Sequence, residues 1–333
     1  MNVSNKKFKK ILFYLILTTL NFLILALIVF TFSYVSLIFG KTYDLFWIKS
    51  IQKKIYFRGQ RNIWQNNKDC AVYDKDLLYK PKEGICQFSN PEFKTTLNFT
   101  KFYRSHFIKN SEIDKKNPII VIGDSIAMGW GVNDNETFSF HLEELSKRKV
   151  YNMGVSSYGT VREIKRLKLS PFYEDTDTII IQYHPNDLDE NINLDSGKSY
   201  SKDEYTKIFS KNNTFKNNLK FILKNYKTSI RLFFSDLIDI LFKYKNLEKY
   251  NFNVHKEYLE RLLFSNFDLK QKKIVVVFIK QPWQKIINFP KKSDKIKYIL
   301  VNLNKSDFFI IDDHPNSSGH KKIANILNES LYQ

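Results

Sequence analysis

Five short runs of β-branched and aromatic residues constrain this chain more than anything else in it. They are Ile119-Ile120-Val121-Ile122, Lys149-Val150-Tyr151, Thr178-Ile179-Ile180-Ile181-Gln182, Ile274-Val275-Val276-Val277-Phe278-Ile279 and Phe308-Phe309-Ile310-Ile311. Runs this short, apolar and without polar alternation are what strands buried on both faces of a parallel sheet require. Stretches long enough for helices separate them, at 136–147, 160–169, 256–267 and 292–303. Strands alternating with helices imply right-handed crossovers, and so an α/β fold: a three-layer α/β/α sandwich around a mainly parallel five-stranded sheet. Ligands in such folds collect at the carboxyl ends of the strands.

Ahead of this body, Ile11 to Gly40 carries no charged residue and no histidine over 30 positions. About 20 apolar residues suffice for a helix to cross the hydrocarbon layer. Lys6, Lys7, Lys9 and Lys10 precede the run, the basic flank that tends to stay in the cytoplasm. The run is longer than the apolar core of a cleavable signal peptide and ends without an A-x-A pattern, so an uncleaved signal anchor is expected. Membrane lipid is then the partner of residues 1–40. Lys41, Lys49, Lys53, Lys54 and Arg58 follow the span, so charge alone does not orient it.

The two cysteines bear on orientation. Cys70 and Cys86 enclose 15 residues rich in Asp, Lys, Pro and Gly. A disulfide there would stabilise by ~3 kcal/mol in the chain-entropy model and would persist only in an oxidising compartment. Two unrelated thiols are the alternative; pairing is favoured, and it puts the body outside the cytoplasm. Residues 41–116 read as a stalk and irregular lead-in, with turn signals at Lys80-Pro81-Lys82-Glu83-Gly84 and Ser89-Asn90-Pro91.

The α/β domain is expected over 117–333, with a helical insertion near 190–255. Within it, Leu219, Ile222, Leu223, Tyr226, Ile230, Phe233, Phe234, Leu237, Ile238 and Leu241 keep a spacing of three and four. Such a stripe over 216–245 marks amphipathic helices that cover a core, or a lid lying on the membrane. The net charge of +19 raises nucleic acid as a partner. Lysine is spread along the whole chain, however, and no basic run interleaves with aromatics as an RNA-binding sheet requires, so no nucleic-acid partner is expected.

Chemistry-bearing residues fall at the strand ends. The run at 119–122 leads into Gly123-Asp124-Ser125 and then a helix-compatible segment, where outward-pointing N–H groups can stabilise developing negative charge. After the last run stands Ile311-Asp312-Asp313-His314-Pro315-Asn316. A hydroxyl nucleophile needs a base within hydrogen-bond reach, and the base needs a carboxylate to set its tautomer. His314 and Asp312 offer both from one loop. Asn152-Met153-Gly154 follows the second run, and His184-Pro185-Asn186-Asp187 the third.

This ordered set resembles the SGNH/GDSL hydrolase superfamily, whose blocks centre on Ser, Gly, Asn and His, over roughly residues 118–330 outside the insertion. The resemblance implies Ser125 as nucleophile, His314 as general base and Asp312 as the carboxylate that orients it. It implies an oxyanion hole of the Ser125 and Gly154 N–H groups with the Asn186 amide, and no metal or organic cofactor. The chain departs from the family in two places. Many members space the acid three residues before the histidine, where this chain has Ile311, leaving Asp312 and Asp313 as the nearest acids; a D-x-H-P arrangement fits it better, and Asp312 is preferred because its side chain can turn back to the ring. His184 stands where the third block usually has Gly and reads as a pocket-wall or packing residue, while His320 reads as structural. The activity implied is a serine-dependent ester hydrolase acting on an acylated extracytoplasmic glycan or lipid. Its alternatives are an O-acetyltransferase modifying an envelope polysaccharide and a non-catalytic envelope binding module; no glycine-rich G-x-x-x-x-G-K-[ST] loop appears, which sets aside a P-loop enzyme.

Overall fold

The computed structural model describes residues 2–57, 61–106, 113–194, 200–209, 234, 248–268, 270–290 and 295–332. They fall into two compact units, with residues 2–57, Arg61 and Phe234 in one and the other described residues, from Asn62 on, in the second. The helical stripe expected over 216–245 lies, Phe234 apart, outside the described residues.

In the first unit α1 spans Asn2–Ile38 and α2 spans Phe46–Ile55. From Lys6 to Ile38, α1 is long and apolar enough to cross a membrane. Leu15, Ile16, Leu25, Leu27 and Ile28 stand exposed along it, as side chains meeting lipid rather than a core would. The return to α2 is fixed by Gln52, whose side chain donates to Ser36 Oγ and the Lys41 carbonyl, both at 2.9 Å, and accepts from the Tyr43 N–H at 3.1 Å.

The second unit begins with β1 (Ala71–Asp74), β2 (Leu78–Pro81), β3 (Gly84–Asn90) and β4 (Phe93–Phe99). Next come β5 (Asp114–Gly123), α3 (Ser125–Met128), α4 (Phe138–Ser146), β6 (Arg148–Asn152), α5 (Thr160–Lys168) and β7 (Thr178–Tyr183). The remainder is α6 (Asp187–Leu194), α7 (Lys202–Phe209), β8 (Glu248–Asn251), α8 (Phe252–Asn266), β9 (Lys273–Lys280), β10 (Gln284–Ile287), β11 (Ile296–Asn302) and α9 (Ser317–Tyr332).

Five strands form one parallel sheet in the order β11-β9-β7-β5-β6. The β-branched runs of β5, β7 and β9 bury both faces, which is why they carry no polar alternation. On one face Val121, Ile180, Val275 and Val277 pack against Phe138 and Leu142 of α4 and Ile323, Ala324 and Leu327 of α9. On the other, Ile120, Ile122, Ile179 and Val276 meet Ile164 and Leu167 of α5 and Leu259, Leu262 and Leu263 of α8. The result is the three-layer α/β/α sandwich. Chain order reverses at β5, which has β6 on one side and β7 on the other, so a topological switch point opens at its carboxyl end.

Two expectations are corrected. The fifth strand is β11, inside the 292–303 stretch read as a helix, and Phe308–Ile311 is not a strand. Ile296, Tyr298 and Val301 point inward while Lys297 and Asn302 point out, and this run pairs in parallel with β9. In 308–311, Phe308 and Ile311 are instead buried anchors of a loop held by one isolated bridge, Phe308 to Pro315. The segment read as an irregular lead-in is also ordered over 62–106. Alternation in β4 turns Phe93, Leu97 and Phe99 inward, where with Trp64, Tyr79 and Phe88 they form a cluster that includes Met128, Trp130, Val155 and Tyr158. Cys70 and Cys86 are joined as a disulfide within this cluster, with Cα atoms 5.0 Å apart.

Candidate active site

At the switch point β5 ends in Gly123, whose φ of +151° suits glycine, and an added Cβ would stand 2.7 Å from Ala127 Cβ and 2.8 Å from Gln182 Cβ. Asp124 then caps the short α3, its Oδ1 accepting the Ile126 N–H at 2.9 Å. Ser125 is the first residue of that helix, partly exposed at the sheet edge. Gln182, one strand over, accepts the Ala127 N–H at 3.0 Å and pins the helix to β7.

Ser125 Oγ lies 2.7 Å from His314 Nε2. On the far side of the ring, His314 Nδ1 bonds Asp312 Oδ1, which also accepts the His314 backbone N–H at 3.2 Å. The carboxylate that meets the ring is therefore that of Asp312; Asp313 offers its carbonyl to Gln281 Nε2 at 2.9 Å. These three side chains, 189 and 2 residues apart in sequence, form one hydrogen-bonded line.

Sequence reading missed what surrounds the line. Trp130 Nε1 donates to Asp312 Oδ2 at 3.1 Å, and the indole stacks on the His314 ring at 5.1 Å and 24° between planes. Both Asp312 oxygens are thus engaged and its side chain is fully buried. Arg104, almost wholly buried, donates to the Met128, Gly129 and Val132 carbonyls and pairs with Asp134 at 2.6 Å, which ties down the turn after α3. The Glu92 carboxylate, in the loop of the β3–β4 hairpin, accepts the N–H groups of Ile310, Ile311 and Asp312. Only the tryptophan, five residues after Ser125, had a signal in its position; Glu92 and Arg104 lie in the segment read as irregular.

The three expected oxyanion donors stand differently. Ser125 opens α3, so its N–H is one that no helical carbonyl satisfies. Gly154 packs so close to α3 that a Cβ would come within 2.4 Å of the Met128 nitrogen, but its N–H donates to Asn152 Oδ1 at 3.1 Å. Asn186 is exposed in the loop after β7, with its side-chain carbonyl 2.7 Å from His184 Nδ1, which leaves its NH2 as the free end of the amide. His184 thus lines this loop beside Asn186, and its own N–H is accepted by Asp187 at 3.1 Å.

Behind the loop, burial pushes Glu163 and Asp187 well above the usual carboxylate range; the Asp187 and Asp124 charges add to the rise at Glu163, and the Asp124 charge to that at Asp187. His320 is fully buried, accepts the Phe138 N–H on Nδ1 at 3.2 Å and stacks on the Phe138 ring. Burial pushes it down to about 3, so it is neutral and structural.

No family model matches the chain, and no curated protein does. Among solved structures it is similar to a protein described as lipolytic, of the G-D-S-L family, from Desulfitobacterium hafniense DCB-2, at 11% identity and a TM-score of 0.32 over 64% of this chain and 98% of the other. It is similar to a family two carbohydrate esterase from Cellvibrio japonicus at 14% identity and a TM-score of 0.33, over 66% of this chain and 62% of that one. An alpha/beta hydrolase enzyme from the metagenome of Lake Arreo, Spain, matches at 12% and 0.33, over 66% and 97%. Likenesses this distant carry no argument about activity, which rests on the geometry of the site.

Proposed function

We propose that this chain is a membrane-anchored serine esterase of the SGNH/GDSL kind, whose acyl-enzyme forms on Ser125. The observation that carries the reading is the line from Ser125 Oγ through His314 to Asp312, with 2.7 Å between the hydroxyl and Nε2. Nucleophile and base lie within hydrogen-bond reach, and the base is oriented by a third group.

In the forward step His314 Nε2 takes the hydroxyl proton as Ser125 Oγ adds to the ester carbonyl. Asp312, held by Trp130, keeps the proton of Nδ1 facing it and offsets the charge of the imidazolium. The oxyanion meets the Ser125 N–H and the Asn186 NH2; the Gly154 N–H joins them when it turns from Asn152. The imidazolium protonates the departing alkoxide, and a second alcohol or water then takes the acyl group by the reverse sequence. The substrate is an acylated glycan or lipid ester outside the cytoplasm. A disulfide of the site-bearing unit and an apolar helix preceded by lysines support that placement.

Turnover of p-nitrophenyl acetate by the full chain in detergent tests the reading. Ser125→Ala should abolish it and Asp312→Asn should lower it by about 10⁴-fold, as a wrong histidine tautomer does in such triads. Release of acetate in water, against transfer to an added oligosaccharide, separates hydrolysis from O-acetyl transfer. Turnover that survives Ser125→Ala would refute the assignment.

A further inference from the structure

We infer that Glu92 is a positioning residue for the acid–base pair, setting the loop that carries Asp312 and His314 from the hairpin at the start of the second unit. The inference rests on the esterase reading for its kinetic consequences, and on geometry alone for the rest.

Glu92 and Pro91 form the two-residue loop between β3 and β4, where Asn90 pairs with Phe93. Proline at the first loop position presets the turn. From there the carboxylate reaches a segment more than 200 residues downstream, accepting the Ile310 N–H on Oε1 at 2.7 Å and those of Ile311 and Asp312 on Oε2 at 2.9 and 2.8 Å. Three successive amides pointing at one anion make a concave nest. No strand ladder can do this, because ladder amides alternate in direction. The carboxylate is therefore what gives 310–312 its shape in place of the strand its sequence suggests. The next atoms along the chain are those that matter: Asp312 Oδ1 receives both the N–H and the ring of His314.

Stability alone does not account for an anion here. Burial raises the Glu92 carboxyl above its ordinary range in spite of the three amides, and the nearby Asp312 charge adds to the rise. A carboxyl raised in the folded state binds its proton more tightly there than in the unfolded chain, so ionised Glu92 subtracts from stability at neutral pH. Its return is at the site. It fixes the loop that aims the base, and it places a second negative charge behind the imidazolium that forms when Ser125 gives up its proton.

The test is E92Q in the full chain, with E92D as the conservative variant and wild type and Ser125→Ala in parallel. Glutamine keeps the shape and one acceptor, removes the charge and turns an NH2 toward an amide. Expected are a kcat lower by about ten-fold or more, as for a lost hydrogen bond to a charged group, with KM within about two-fold. The acid limb of the kcat/KM profile should move to lower pH, since removing an anion disfavours protonation of a nearby base. E92D should recover part of both. Hydrogen exchange of the Ile310, Ile311 and Asp312 amides, which needs no substrate, should quicken in E92Q. A kcat within two-fold of wild type with an unmoved acid limb would overturn the inference. Should wild type itself not turn over esters, the esterase reading fails and the exchange data decide alone: unchanged protection of those amides overturns the positioning role, and faster exchange sustains it.

Discussion

Replacing Trp130 by Phe removes one hydrogen bond from the site and leaves its packing nearly intact. The indole N–H donates to Asp312 Oδ2 at 3.1 Å, and Asp312 has no exposure through which water could replace it. The ring also stacks on His314 and meets Phe88 and Phe93, contacts that a phenylalanine largely keeps. A buried hydrogen bond to a charged group is worth about 1.5–3 kcal/mol. If the loss is felt mainly in the transition state, where Asp312 must offset the imidazolium, kcat/KM falls by about 10- to 100-fold. The assay is ester turnover over a range of substrate, with thermal unfolding alongside it. The drop should lie in kcat, and Trp130→His, which restores a ring N–H, should recover part of it. A Trp130→Phe protein that folds and keeps kcat/KM within two-fold would refute the role given to this hydrogen bond.

Two further outcomes concern stability. Reduction of the Cys70–Cys86 disulfide, or Cys70→Ser with Cys86→Ser, should cost on the order of 3 kcal/mol by chain entropy, read as a lower midpoint in denaturant; an unchanged midpoint would mean the bridge constrains nothing. His320 is held neutral, pushed down to about 3, so between that value and its ordinary value near 6.5 the unfolded chain binds a proton that the folded chain refuses. Its contribution to stability is complete above pH ~6.5 and is lost as pH falls toward 3, by up to ~1.4 kcal/mol per pH unit. His320→Asn, which still offers an acceptor to Phe138, should flatten that slope in denaturant titrations at pH 4 to 7, and an equal slope in both proteins would contradict it.

Strands β5, β7 and β9 were legible because both their faces are buried under continuous β-branched runs; β6, a half-buried edge strand, shows only through Val150 and Tyr151. The fifth was not. In β11 Lys297 interrupts the apolar run and Lys295 flanks it, so the stretch lacks the look of an inner strand, whereas Phe308 to Ile311 mimics a buried strand because its side chains anchor a loop in two clusters. The line Ser125–His314–Asp312 was legible because each residue sits at a strand end or in the loop behind one, where the fold gathers ligands. Its supports were not. Glu92 and Arg104 act over long sequence separations through backbone amides and carbonyls, partners that have no residue identity. A hairpin whose inward residues include Thr95 and whose outward ones include Ile85 also blurs the alternation that would have marked it as ordered.

The central claim is that Ser125 is a nucleophile activated by His314, and covalent capture tests it most directly. The full chain, treated with a fluorophosphonate and digested, should carry the phosphonyl group on the peptide containing Ser125, at a rate that collapses with His314→Ala. Folded protein that takes no label, or takes it at another serine with Ser125 unmodified, would contradict the account.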